Sequence, residues 1–436
     1  MGRLRVVIAA DGLQAELHVA KGAACTEAEL RTALASAGVS FGLDEAALQQ
    51  LAASATAADW SGSAVVAHGE AARNGRDGFL AVVDPPGLLP GTAHQDGTID
   101  YRERHYLLPV AADTLVGSVM PPEPGRNGTT VTGRVLPAKP GAPLRLRPGQ
   151  GVRMDGDRLV AIHGGVLSLV PPMVDVVPLF VQGGDVDYRV GNLHTEGSVE
   201  VRGDVHQGFS VVATHDVHVI GAVLDATIAS GARTIVEQGV LGDHARVAAT
   251  GDFYCRHATA ATLHAGGVVT FGDGASHCRA LGERIVATTG RGAVFGGELR
   301  ARASIVLRTV GTSQGARTLL AVGDVSELEA AAVREALADQ KLADRALQRG
   351  RQDGGRSVKA TRTAVRLGDP AQQARLRIRM QQRERLRTAF VEVHETLHPG
   401  VRVQFGDKSF STDSPRRHLR LRWDEEHDCI VEETLP

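Results

Sequence analysis

Between about residues 183 and 323, short β-branched runs recur and glycine closes several of them. The runs include Ser198-Val-Glu-Val201, Val217-His-Val-Ile220, Thr234-Ile-Val-Glu237, Gly267-Val-Val-Thr270, Arg284-Ile-Val-Ala287 and Ser304-Ile-Val-Leu307. Gly203, Gly221 and Gly239 lie 18 residues apart, and Gly272, Gly290 and Gly311 follow at steps of 18 and 21. A strand-and-turn unit repeating at roughly 20 residues is the signature of a stacked β-solenoid. One coil cannot bury its own apolar face, whereas a stack buries a continuous core. At this pitch the segment makes roughly seven coils. The period is longer and looser than that of hexapeptide solenoids, which argues against the acyltransferases built on them.

Composition agrees with many short strands joined by tight turns. Glycine contributes 51 of 436 residues and aromatics only 4%. The glycines follow no every-third-residue rule, so collagen is excluded. Apolar residues at 43% are enough for packed cores. The length calls for two or three folding units.

The flanks read differently. Residues 1–180 predict a mixed α/β, turn-rich domain. Leu4 to Ala10 and Ala15 to Val19 form a hairpin about Asp11-Gly12. Thr26 and Glu29 form a capping box, Leu30 and Leu34 share one helix face, and Asp44 caps a second short helix. Pro-rich turns follow, as at Pro121-Pro-Glu-Pro-Gly125, and exclude long helices. Residues 326–397 predict a helical hairpin, an antiparallel coiled coil. Its second helix covers 370–397, with Leu376, Met380, Leu386, Phe390, Val393 and Leu397 along one stripe. Residues 398–436 predict a β tail packing back on the solenoid and covering its open edge. The fold class is therefore mainly β: a mixed N-terminal domain, a central β-helix over 183–323, a helical hairpin and a β tail.

The formal net charge of −2 argues against a general polyanion coat, and nucleic acid is not expected as a partner. Cys25, Cys255, Cys278 and Cys429 are scattered, without a C-x-x-C pair, as suits a reducing cytoplasm. The N-terminus lacks a signal-peptide apolar region, and no run approaches the ~18 apolar residues of a membrane span. A soluble, cytoplasmic chain is expected, with membrane contact at most peripheral.

Several motifs together resemble the flagellar assembly protein A (FapA) family. They are Gly183-Gly-Asp-Val-Asp187, Gly197-Ser-Val-Glu-Val-Arg-Gly-Asp-Val205, Gly75-Arg-Asp-Gly78, Asp96-Gly-Thr-Ile-Asp-Tyr101, Pro121 to Gly128, Gly296-Gly297 and Thr318 to Gly323. The resemblance spans nearly the whole chain. It implies a non-enzymatic role in bacteria, in some members flagellar assembly at the cell pole through protein partners. Thr214-His215 and Ala232-Arg233 stand where the family pattern often has glycine turns. The resemblance carries no catalytic residue and no cofactor.

Four sets of residues are candidates for chemistry. Eight histidines (His194, His206, His215, His218, His244, His257, His264 and His277) with Cys255 and Cys278 could supply a soft metal site, but no pair has a strong ligand spacing, and surface or turn histidines are expected. Asp185, Asp187, Asp204, Asp216, Asp243, Asp252 and Asp273 could include an acid–base pair, but most adjoin glycine, where turns favour aspartate. Gly290 to Gly297 lacks the Gly-Lys-Ser/Thr ending of a phosphate loop. The fourth set is a basic run. Arg356 to Arg387 holds ten basic residues against Asp369 and Glu384, a net +8. Arg375, Arg377, Arg379, Arg383, Arg385 and Arg387 are the expected docking face for an acidic or polar protein partner, flagellar or polar-localisation proteins among them. No metal or cofactor is expected. A homo-oligomer is compatible with the sequence. The competing readings are a solenoid that polymerises end to end and a polysaccharide-acting β-helix enzyme. The latter should carry a signal peptide and an aromatic-lined groove.

Overall fold

The computed structural model describes residues 3–21, 24–56, 60–84, 89–93, 97–323 and 383–435. They form two compact units. One comprises Met1–Asp84, Thr114–Ala161 and Leu169–Asp175; the other comprises Pro85–Asp113, Ile162–Ser168 and Val176–Pro436. Residues 85–113 and 162–168, read from sequence with the N-terminal domain, thus group with the solenoid.

In the first unit, strands Leu4–Ile8, Gln14–Val19 and Gly62–His68 form an antiparallel sheet with Gln14–Val19 central. Helices Glu27–Ser36 and Glu45–Ser54 lie between its second and third strands in sequence. The Thr26–Glu29 capping box forms: Thr26 N–H donates to Glu29 Oε2 (2.8 Å), and Thr26 Oγ1 accepts from Glu29 N–H (3.4 Å). Asp44 Oδ1 accepts from Ala47 N–H at 3.0 Å. Leu30, Leu34, Leu48 and Leu51 pack with Leu17 and Val66 into one core. A second sheet runs Val152–Asp155, Arg158–Ala161, Leu115–Met120, Phe79–Val82, each strand antiparallel to the next.

The second unit is a three-faced β-solenoid. On one face, strands from Leu179–Gln182 to Phe390–Leu397 stack in parallel as nine rungs, hence eight turns. In-register inward residues build a column: Val199, Val217, Thr234, Phe253, Val269, Ile285, Ile305 and Val391. A second face stacks Leu193, Val211, Ile228, Val247 and Leu263 in the same manner. The third stacks Val205, Val223, Val240, Ala258, Ala275 and Val294. The alternation that makes each strand half-apolar therefore also makes each core column. Thr234, the polar member, is fully buried and is satisfied by Ser230 Oγ at 2.7 Å. Leu107 and Val166 join this core from the residues that precede the coils.

The helical prediction over 326–397 needs correction. Residues 324–382 lie outside the described residues, and 383–388 are helical, but Phe390–Leu397 is a strand. Phe390, Val393 and Leu397 fall at helical spacing, yet Val391 and Val393 alternate with Glu392 and His394, a strand pattern. The open edge of Gly297–Val310 offers ladder partners, and the strand wins. The solenoid is thus interrupted at 323 and not ended there. Thr318–Val322 and Val401–Phe405 are consecutive rungs, as are Gly297–Val310 and Phe390–Leu397.

After Phe405 the stacking changes direction. Lys408–Ser411 runs antiparallel to Val401–Phe405, Arg416–Asp424 runs antiparallel to Phe390–Leu397, and Cys429–Thr434 completes the sheet. An antiparallel rung cannot template another parallel coil. The tail closes the stack, and its outermost strand carries Glu432 and Glu433, charges that discourage edge pairing.

Candidate functional site

The corner between the second face and the first is built the same way in most coils. Two or three residues bridge it, such as Gly231-Ala232-Arg233 and Gly266-Gly267. At one coil the chain instead leaves after Gly323 and returns at residue 383. The two ends meet. Leu386 is buried, and a Cβ on Gly323 would overlap its side chain. Gly323 N–H donates to Ala301 O at 2.9 Å, and Ala389 N–H to Leu386 O at 3.3 Å. Gly323 and Leu386 thus adjoin at one point, and the basic residues Arg356 to Arg379 fall between them in sequence.

Of the six expected docking arginines, Arg375, Arg377 and Arg379 lie outside the described residues. The other three sit on the helical segment 383–388, which Leu386 anchors. Arg387 is engaged: its Nε and Nη2 donate to Glu425 at 2.7 and 3.1 Å, and Nη1 donates to Glu384 at 3.2 Å. Glu425 holds the guanidinium further in its charged form. Arg383 is exposed. Arg385 is half-buried, and its shielded Nη1 finds no acceptor among the described residues. Arg383 and Arg385 thus make no hydrogen-bonded ion pair among the described residues, while Arg387 is engaged by the fold.

The aspartates are turn devices. Asp185 Oδ1 accepts from Asp204 N–H (2.9 Å), Asp204 Oδ1 from Ala222 N–H (2.7 Å), Asp216 Oδ1 from Arg233 N–H (2.9 Å), and Asp252 Oδ1 from Val268 N–H (2.8 Å). Each clamps the turn one coil ahead. At the corner with Ala232-Arg233, this clamp stands in for a further glycine. Asp185 is held below the usual carboxylate range, first by the Asp204 N–H and then by His206 at 3.3 Å. A depressed carboxylate stabilises the fold above its unfolded-state value of about 4 and loses that contribution as pH falls through the folded value. Asp185→Asn keeps the acceptor and removes the titration. Its melting temperature is expected to fall less steeply than wild type between pH 5 and 3. Identical slopes would refute the assignment.

The histidines do not converge with the cysteines. His218 pairs with Glu237 at 2.9 Å across adjacent coils, and His244 lies 3.8 Å from Asp225. Cys255 and Cys278 are interior, and burial pushes both thiols up, Cys278 to about 11. Thiols at such values are poor metal ligands at neutral pH. No group of three or more metal-holding side chains occurs among the described residues. Nor is any described helix long and apolar enough to cross a membrane.

Sequence reasoning missed a cleft of about 690 Å3, lined by both aromatic and charged residues, at another corner of the first coils. Phe209 forms its floor, with Tyr188 edge-on at 4.9 Å and the Arg102 guanidinium at 5.8 Å. His206 and His244 line its rim. Arg102 is far from these residues in sequence, so only the fold brings them together.

Coils, corner clamps and an antiparallel closure define a β-solenoid protein with a separate mixed α/β unit. Family models place it further. Residues 178–426 match the Flagellar Assembly Protein A beta solenoid domain, and residues 4–171 match the Flagellar Assembly Protein A N-terminal region. The chain belongs to the FapA family. Comparisons with curated proteins and with solved structures found no match.

Proposed function

We infer that this protein is a non-enzymatic cytoplasmic adaptor in bacterial flagellar assembly, recruited to its place of action, the cell pole included, by protein contacts. Membership of a flagellar assembly family supports the process. The observation that carries the adaptor reading is the pinned exit at Gly323 and Leu386. Most of a net +8 run falls, in sequence, between these two adjoining points, at a corner where neighbouring coils need two or three residues. Arg375, Arg377, Arg379, Arg383 and Arg385 form the docking face for an acidic protein surface, with Arg387 as its structural anchor. Guanidinium groups suit carboxylates because they pair with them in two-pronged fashion.

The test is genetic. The gene is deleted in the source organism and restored as wild type or with Arg375, Arg377, Arg379, Arg383 and Arg385 changed to Gln. The deletion is expected to lower flagellar number or misplace flagella. Wild type is expected to rescue swimming, and the five-Gln variant to fail while being present at normal level. Normal flagella in the deletion strain would overturn the process. Rescue by the variant would overturn the docking face.

A further inference from the structure

Two Arg-Asn-Gly tripeptides face one another in the first unit. Arg73-Asn74-Gly75 runs antiparallel to Arg126-Asn127-Gly128. Arg73 and Arg126 exchange both backbone hydrogen bonds, each 2.8 Å long. In such a pair the Cα atoms lie about 5.5 Å apart and the side chains share one face. Both arginines line one cavity of about 300 Å3, with Glu70 and Asn127.

The surroundings hold this arrangement firmly. Asn127 Oδ1 accepts from Ala138 N–H at 2.8 Å, and Asn74 Oδ1 from Lys139 N–H at 3.0 Å. Both tripeptides are thereby tied to the same neighbouring segment. A side chain at Gly75 would overlap Glu123 O, and one at Gly128 would overlap Glu70 O. The asparagine amide NH2 of Asn127 remains as a donor beside the two guanidiniums.

Like charges placed directly opposite in a sheet pair are destabilising. Neither arginine has an ion-pair partner among the described residues, and Glu70 lies in the same cavity without reaching either within 4 Å. Arg76 and Lys139 are exposed and adjoin the same tripeptides, Arg76 directly after Gly75 and Lys139 through its N–H to Asn74. Two adjacent forks with no counter-ion make a receptor for an oxyanion. On the adjoining strands, Phe79 and Met120 pair across the sheet while 54% and 41% exposed. Arginine, methionine and aromatic residues are the composition of protein interfaces.

We propose that the Arg73–Arg126 pair is a carboxylate clasp through which the N-terminal unit docks an acidic segment of a partner protein. The proposal rests on the adaptor reading and adds a second contact surface, independent of the basic run. A fluorescein-labelled peptide of eight glutamates with one central phenylalanine is titrated with the full-length chain, and anisotropy is followed at two salt concentrations. The expected result is salt-sensitive binding, weakened about ten-fold or more in Arg73→Gln/Arg126→Gln. Arg73→Lys/Arg126→Lys, which keeps charge and loses the fork, should fall between them. The double Gln variant should melt no lower than wild type, because a repulsion has been removed. The five-Gln variant of the basic run, as competitor arm, should keep the part of the binding that depends on the clasp. Absent or unchanged binding overturns the proposal. So does a lower melting temperature in the double Gln variant, which would mark a structural role. Tighter binding of a single-stranded oligonucleotide of equal charge, lost in the same variant, overturns the choice of a protein partner. Loss of flagellar rescue with the clasp intact bears only on the basic run.

Discussion

Val391→Asp is expected to destabilise the solenoid by about 4 kcal/mol or more and to make the chain self-associate. Val391 is fully buried, between Ile305 of the preceding rung and Leu421 of the closing strand. A carboxylate there has no cation to meet and must either stay charged in apolar surroundings or bind a proton. Either outcome weakens the rung that re-enters after the interruption. Its loss frees Phe390–Leu397 and Arg416–Asp424 together, because one is built on the other. The long strand Gly297–Val310 then presents an unpaired edge, and such edges recruit further strands. Denaturant melts report the first effect and light scattering the second. His394→Ala, outward on the same strand, is the control and should move stability by no more than about 0.5 kcal/mol. A Val391→Asp chain with wild-type melting and elution would mean that the tail does not close the stack. It would also reopen the end-to-end polymer reading, against which the antiparallel tail now stands.

The coils were legible because one physical requirement writes itself repeatedly. Each rung needs inward apolar residues at alternate positions and a turn that clears the next coil. Val199, Val217, Ile285 and Ile305 recur for the first reason, and Asp204, Asp216 and Asp252, two of them directly after glycine, recur for the second. The capping box at Thr26 was legible because both partners lie within one helical turn. The re-entry was not. Phe390, Val393 and Leu397 fit a helix while Val391 and Val393 fit a strand, and the arbiter is an open edge supplied by residues some 85 positions earlier. The extra turn beyond the seven expected comes from the same source.

The candidate sites divide along the same line. The basic run is a local excess of charge and shows in any window of sequence. That Arg387 is consumed by Glu425 is a tertiary fact, since Glu425 arrives only when the tail folds back. The Arg73–Arg126 clasp left a faint signal, the repeated Arg-Asn-Gly, but its meaning depends on a bridge between segments 53 residues apart. The Arg102 cleft left none.

Replacing residues 324–382 by four Gly/Ser residues is expected to spare the solenoid and abolish function through the basic run. Gly323 and Leu386 already touch, so a short turn spans the gap, as two residues do at Gly266-Gly267. Closing a loop of four residues in place of 59 lowers the entropic cost by up to about 2 kcal/mol on simple chain statistics. The excised chain should therefore melt no lower than the full chain. Its far-ultraviolet spectrum should remain that of a β protein. It loses Arg375, Arg377 and Arg379, and with them most of the charge that the adaptor reading assigns to docking. Swimming in the complemented deletion strain should match the empty vector, while acidic-peptide binding at the Arg73–Arg126 clasp persists. A fall of several kcal/mol on excision would make the segment a part of the fold and not an appended arm. Full rescue of swimming by a stable excised chain would move the partner surface elsewhere, and the clasp on the N-terminal unit would then be the surface to test next.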